Sequence, residues 1–411
     1  MIFNKIKFKL IKLLGKFFGV DLFKLRWIVQ GNLIRLLTKE FYLPIINVNM
    51  HPWGKIKNLK KIVLIEPFSK VSPAKLKTVA SNEDIDIPQL NPLTIFVIED
   101  INVATPIGGV IIERREDNIN HSWYPKFYSV GISKFFFTGA YVGYDFHRND
   151  FARGLYEFKN LNEIFNFIKI KKNKINQPCT VIPVIKNYSH WIISYLPKIL
   201  KFYNSFKYSK IDELKNFEIK FFINKNASKF QIQSLEYFKI PIEFIEDFEI
   251  KTKTFFLLET GINDLMQVDD ILFIANESVK KINYNPDISS DNSKNMILFR
   301  EESARQPDFK DQLTSCFENF ETIYPHKLNF ENQFNKFNKT KCLISWHGAG
   351  LANIIWMKEK SKVVEIFPNG HSNHVFLTLC NIKNIDHLTI FENDLKFNFE
   401  ATIKKIKNFL N

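Results

Sequence analysis

The residues best suited to chemistry lie in the second half of the 411-residue chain. Ser345-Trp346-His347-Gly348-Ala349-Gly350-Leu351-Ala352-Asn353 follows one apolar run and opens another. Gly348 and Gly350 let the backbone approach a neighbour closely, and the N–H groups of a helix start face the turn. Such a strand, turn and helix start can bind an anion, typically a phosphate. Without a ligand it is a tight strand-to-helix turn. Fifteen residues past Gly350, Glu365 lies within the apolar run 363–367. A buried acid is costly unless paired; ribose hydroxyls or a structural cation could pair it. Arg300 closes the run 296–300 and Arg305 follows it. Two guanidinium groups there could neutralise a diphosphate, or form surface salt bridges. Asn187-Tyr188-Ser189-His190-Trp191 stands between an apolar run and a helical pattern. His190 titrates near neutrality, which makes it a candidate general base; at a helix start it could equally be structural.

Other chemistries find little support. Cys179, Cys316, Cys342 and Cys380 stand apart without C-x-x-C spacing, which argues against a disulfide scaffold and a structural zinc site. A reduced, cytoplasmic setting fits them. Asp84-Ile85-Asp86 has a D-x-D spacing but sits in a polar stretch far from the other motifs. No G-x-S-x-G, H-E-x-x-H or G-x-x-x-x-G-K-[ST] occurs, so serine hydrolase, zinc protease and P-loop readings recede.

These residues need elements to carry them. From residue 179 the pattern alternates: strands at 181–185, 218–223, 242–245 and 254–258, with helices at 189–206 and 228–238. After a polar, turn-forming stretch at 281–295, a second block follows. It has strands at 296–300, 322–324, 342–345 and 363–367, with helices at 308–319, 330–338 and 351–358. Alternation of this kind predicts parallel sheets flanked by helices, with ligands at the carboxyl ends of the strands. Residues 60–140 hold short runs rich in Ile, Val and Phe, which predict a β-rich leading region. The boundaries expected are 1–40, 41–280, 281–392 and a terminal helix at 393–411.

The net charge of +14 is uneven, since residues 1–40 alone carry +7. Phe3, Ile6, Leu10, Leu13 and Phe17 share one helical face, and Lys5, Lys9, Lys12 and Lys16 another. Residues 1–18 are thus expected to lie on an anionic membrane surface, or to pack on the protein with a solvated lysine face. No uncharged apolar run reaches 18 residues, so no spanning helix is expected. The remaining surplus is modest and no nucleic-acid-binding signature accompanies it.

The ordered motifs resemble glycosyltransferase family 61. Asn187-Tyr188-Ser189-His190-Trp191 with Leu196-Pro197, Arg300 with Arg305, Tyr324-Pro325…Leu328-Asn329-Phe330…Gln333, and His347–Asn353 with Val363-Val364-Glu365-Ile366 carry the resemblance over residues 180–370. Family members often have an Asn-Glu pair after the second arginine, where this chain reads Gln306-Pro307-Asp308; Asp308 could replace the acid.

The resemblance implies a GT-B fold of the α/β class, two Rossmann-like domains facing across a cleft. It implies an inverting, metal-independent transfer from a nucleotide sugar, with UDP the expected nucleotide, to a glycan or lipid-linked glycan acceptor. No cofactor beyond the donor is expected. The implied setting is capsule or lipopolysaccharide synthesis on the inner face of the bacterial inner membrane. Arg300, Arg305, His347, Gly348, Ala349, Gly350, Leu351, Asn353 and Glu365 would hold the donor. His190 is the preferred base and His347 the second choice. The alternatives are a non-catalytic membrane-surface protein with a GT-B shell and a polyol-phosphate transferase.

Overall fold

The computed structural model describes short stretches before residue 152 (59–65, 76–77, 84–85, 93–104, 111–113, 127–129, 144–145 and 150–151) and most of 171–411. In the latter part, 183, 186, 209–216, 247, 259–267, 284–293, 300–309 and 369–373 are not described. The amphipathic segment 1–18, Arg300, Arg305 and Asp308 therefore lie outside the described residues.

The described chain is a mixed α/β structure built on two main sheets. The first has nine strands, and its parallel part runs Glu243–Ile245, Lys220–Asn224, Cys179–Ile182 and Phe248–Leu258. The 11-residue strand Phe248–Leu258 then pairs antiparallel with Leu93–Ala104. The β-rich leading region is thus an extension of the α/β sheet rather than a layer of its own. A long strand with both edges paired is what joins them.

The second sheet has five strands, all parallel. Its order is Glu321–Ile323, Lys294–Leu298, Thr340–Trp346, Lys362–Phe367 and Asp386–Phe391. In chain order that is 2-1-3-4-5, which reverses direction between Lys294–Leu298 and Thr340–Trp346. A doubly wound sheet opens its ligand crevice at that reversal, beyond the carboxyl ends of the strands.

Side chains alternate across this sheet, as the pleat requires. Met296, Leu298, Leu343 and Val363 join one apolar cluster, while Ile297, Phe299, Ile344, Trp346, Val364 and Ile366 join another. Both faces are covered, which explains the nearly continuous apolar runs of these strands. The first cluster also contains Trp191, Leu196, Phe221 and Phe256 from the first sheet and its helices. The two sheets therefore share a core. Tyr237 packs its ring against Phe330 and Phe334, and Phe238 against Trp356.

Several elements depart from expectation. Residues 349–356 form a 3-10 helix, Ala349–Trp356, which starts and ends two residues before the helix expected at 351–358. Six of its eight side chains, Leu351 to Trp356, are buried, so packing on all sides rather than an amphipathic stripe sets its winding. A helix at Val268–Asn283 runs into the stretch expected to be a linker. A helix at Val375–Ile382 and a fifth strand at Asp386–Phe391 follow where no element was expected. The terminal helix is two, Glu392–Phe397 and Phe399–Leu410. Asp84 and Ile85 pair with Leu76 and Lys77 in a two-stranded ribbon.

Candidate active site at the carboxyl ends of the strands

The site has one wall from each sheet. On the first, strand Cys179–Ile182 leads through Ile185, whose N–H donates to Gln231 Oε1 at 3.1 Å, to the turn at Asn187. Asn187 caps the helix start: its Oδ1 accepts from the backbone N–H of Ser189 at 2.9 Å and of His190 at 3.3 Å, and from the Ser189 hydroxyl at 2.8 Å. Asparagine is well suited to this because its short acceptor reaches the orphan donors of the first turn.

The helix so begun passes through a π turn, Trp191–Tyr195, before it becomes the α-helix Leu196–Lys207. Pro197 explains the widening. It has no N–H to donate to the carbonyl of Ile193, and its ring would crowd that carbonyl in an α-helix. The π turn is wholly buried, and the Trp191 indole N–H donates to Ser234 Oγ at 2.8 Å. His190 is thereby fixed at the last position before the widening. It is half-buried, and burial holds its pKa below the ordinary imidazole value.

The neighbouring Tyr188 crosses to the second sheet. Its hydroxyl donates to Asn353 Oδ1 at 2.7 Å. Asn353 Nδ2 in turn donates to Gln333 Oε1 at 3.2 Å and to the Gly350 carbonyl at 3.1 Å. Burial pushes the Tyr188 phenol far up, against the opposing effect of its hydrogen bonds, so it stays a donor. The turn with His190 is in this way held against the 3-10 helix Ala349–Trp356.

The second wall is the loop after strand Thr340–Trp346. The His347 backbone N–H donates to the Ile366 carbonyl at 2.8 Å. Its ring stacks on Phe367 with centroids 4.9 Å apart and lies 5.4 Å from Phe376. His347 Nδ1 is 2.6 Å from Glu365 Oε1, and the other oxygen, Oε2, is 2.9 Å from His387 Nε2. The side chains are 13% exposed at His347, 3% at His387 and 0% at Glu365.

Strand register makes the cluster. Glu365 lies two residues after Val363, and Val363 pairs with His387, so all three point to one face. Burial on its own would push the Glu365 carboxyl up. The hydrogen bonds from His347 and His387 lead the opposing effects and leave the pKa below the ordinary carboxylate value. The carboxylate is therefore ionised near neutrality and can only accept hydrogen bonds. His347 Nδ1 and His387 Nε2 must then be the donors. This tautomer puts the lone pair of the His347 ring on Nε2.

His190, His347, Gly348, Ala349 and Gly350 thus fall on elements that meet beyond the strand ends. Three residues expected at the donor do not reach a surface. Leu351, Asn353 and Glu365 have no exposed area, and Asn353 and Glu365 spend their polar atoms on protein partners. The Leu351 N–H already donates to the Gly348 carbonyl at 2.9 Å. Gly348 is extended, with φ at 166°, a conformation open to any residue. Gly350 is different: a Cβ there would stand 3.2 Å from Leu298 Cδ2. Its smallness lets the loop lie on the end of the neighbouring strand, at the reversal of strand order.

Sequence reasoning missed His387. The available signal was rhythm. A further helix and strand were due after Glu365, and His387, Thr389 and Phe391 alternate with Leu388 and Ile390. Among the described residues no group of three or more His, Cys, Asp or Glu is placed to hold a metal ion. The nitrogens of His347 and His387 that face Glu365 meet its two oxygens rather than a common point.

The family model for glycosyltransferase 61 matches residues 188–364. That span opens on the Tyr188 turn and ends one residue before Glu365. No curated protein matches the chain.

Proposed function

Starting from the match of residues 188–364 to the family model for glycosyltransferase 61, we propose that the chain is an inverting transferase that moves a sugar from a UDP-linked donor to a glycan or lipid-linked glycan acceptor, without a metal ion. The donor lies at the carboxyl ends of the five-stranded sheet, where the Gly348–Gly350 backbone faces its diphosphate; Arg300 and Arg305, assigned from the sequence alone, neutralise it. In an inverting displacement the acceptor hydroxyl attacks the anomeric carbon and loses its proton as the diphosphate departs.

The observation that supports this most is the His347–Glu365 pair. A base needs an exposed lone pair and a partner that takes up the positive charge formed on proton transfer. Glu365 supplies the second at 2.6 Å and orients the ring. That pairing leads us to assign the base to His347 in place of His190, the choice the sequence favoured. His190 then faces the acceptor. Glu365 and Asn353 act through other residues: Glu365 orients His347, and Asn353 joins Tyr188 to Gln333. We place the enzyme at the cytoplasmic membrane face of a bacterium, in capsule or lipopolysaccharide synthesis, on the strength of the basic amphipathic segment 1–18. No helix among the described residues is long and apolar enough to cross a membrane.

The test is a panel of nucleotide sugars with candidate acceptors, with and without EDTA. Transfer from a UDP-sugar with inversion, unchanged by EDTA, is the expected outcome. His347→Asn should lower kcat by about 10²–10⁴, the usual contribution of a positioned base. His190→Asn should act mainly on the acceptor KM. No turnover of any donor together with no UDP binding in calorimetry would sink the reading.

A further inference from the structure

His387 lies on the far side of Glu365 from His347 and belongs to a strand beyond the span of the family match. We infer that His387 is a positioning residue: by donating to Glu365 Oε2 it keeps the carboxylate in the state that leaves His347 with its proton on Nδ1 and its lone pair on Nε2. The inference rests on the reading of His347 as the base.

The chemistry is a matter of which atoms carry protons. Glu365 has no contact with solvent, so its charge is sustained only by protein donors. Among the described residues these are His347 itself and His387 at 2.9 Å. The remaining nitrogen of His387, Nδ1, is buried and has no hydrogen-bond partner among the described residues. A buried nitrogen without a partner is less costly as a bare lone pair than as an N–H of a cation. His387 therefore serves as a neutral donor through Nε2.

Among the described residues other groups do not compensate. The 3-10 helix Ala349–Trp356 and strand Thr340–Trp346 bring no ionisable side chain to the carboxylate from their sequences beyond Cys342 and Lys341 near the strand's start. From helix Val375–Ile382, Cys380 faces it, but burial and the charge of Glu365 push that thiol far up and leave it neutral. Without His387, the Oε2 atom loses its donor in a place water does not reach. The carboxyl then takes a proton at higher pH. A protonated Glu365 donates to His347 Nδ1, and the imidazole must move its proton to Nε2. In that tautomer Nε2 cannot accept the acceptor's proton.

The experiment compares the full chain with His387→Leu and His387→Gln. Leucine removes the donor; the glutamine amide can place an N–H near the position of Nε2. His387→Asn, polar but too short to reach Oε2, replaces the leucine variant if that fails to fold. The first readout is the pH profile of kcat/KM. For the leucine or asparagine variant we expect a loss of about 10–100-fold at neutral pH, the size typical of outer partners that orient a functional histidine. The acid limb should move to higher pH, with KM little changed. The glutamine variant should retain the wild-type limb. The second readout needs no turnover: ¹⁵N spectra of histidine-labelled protein, with His347 assigned from the His347→Gln spectrum. Wild type should show His347 protonated on Nδ1, and the leucine or asparagine variant on Nε2 at the same pH. A donor-free variant that keeps the Nδ1 proton, a glutamine variant that behaves like leucine, or a wild type already protonated on Nε2 overturns the inference. If the wild type transfers no sugar but the spectra shift as expected, the positioning role stands and the transferase assignment falls.

Discussion

The molecule buries two clusters of charge, and they are built differently. Under the first sheet, Lys198 and Lys201 of helix Leu196–Lys207 meet Asp269 and Asp270 at the start of helix Val268–Asn283. Lys201 bonds both acids, reaching Asp270 Oδ1 at 2.6 Å, and Lys198 lies 3.5 Å from Asp270 Oδ2. All four side chains are buried, and two positive charges face two negative ones. On the second sheet one acid faces two imidazoles, and one of these reaches the surface. A closed ledger of charge ties two helices together and offers nothing to a ligand. An open one leaves proton affinity that a reaction can use. Burial of charge thus marks function only where the pairing is incomplete and one member is accessible.

The largest effect expected from breaking this comparison is at Lys201. Lys201→Met leaves Asp269 and Asp270 short of their main partner inside the protein. Removing one member of a buried ion pair costs about 3–5 kcal/mol. Urea unfolding should show that loss, while kcat per folded molecule stays near wild type. A variant of normal stability, or one folded but inactive, would place this cluster in the same class as the other.

Glu365→Gln comes next. It replaces an ionised acceptor between two imidazole donors with an amide that can satisfy only one of them without rearrangement. The stability cost should be about 1.5–3 kcal/mol, the range for hydrogen bonds to charged groups, and turnover should fall with it. The pH dependence carries the sign. Because the folded-state pKa lies below the ordinary 4.5, the carboxylate's contribution is full above that value and is lost as pH falls through the lower folded value. Stability of the wild type relative to Glu365→Gln should therefore be greatest near neutrality and shrink in acid. A gap that stays constant or widens in acid removes the ionised carboxylate from the account.

The two clusters also differed in how far the sequence revealed them. Gly348, Gly350 and Glu365 stand out because glycine before an apolar run and an acid within one are locally unusual. Four of the five strands of the second sheet were legible for the same reason, since each is a short apolar run with its own boundaries, whereas Asp386–Phe391 mixes polar and apolar residues and was not. Helix Phe330–Asn338 fell where its pattern placed it. Lys198, Lys201, Asp269 and Asp270 look like an ordinary solvated face in a lysine-rich chain, and only the packing of two distant helices buries them. His387 is hidden likewise, because its role comes from register with Val363 rather than from spacing along the chain. The joining of the β-rich region to the first sheet depended on the antiparallel pairing of Phe248–Leu258 with Leu93–Ala104, a long-range fact that alternation cannot carry.

The smallest expected effect tests the tie between the two walls. Tyr188→Phe removes the hydroxyl that donates to Asn353 Oδ1 at 2.7 Å and keeps the ring that meets Phe230 edge-on at 5.3 Å. Asn353 retains its bonds to Gln333 and Gly350. The loss of one buried hydrogen bond, with its acceptor left unpaired, should cost about 1–3 kcal/mol at most and nearer 1 if the loop relaxes. The more telling quantity is kinetic. His190 is two residues from Tyr188, and the bond is what holds its turn to the loop of His347. If the walls act together, Tyr188→Phe should raise the acceptor KM more than it lowers kcat, because His347 and its carboxylate are untouched. An unchanged KM would mean that Asn187 and the π turn fix the first wall by themselves, and that the bridge contributes to stability alone.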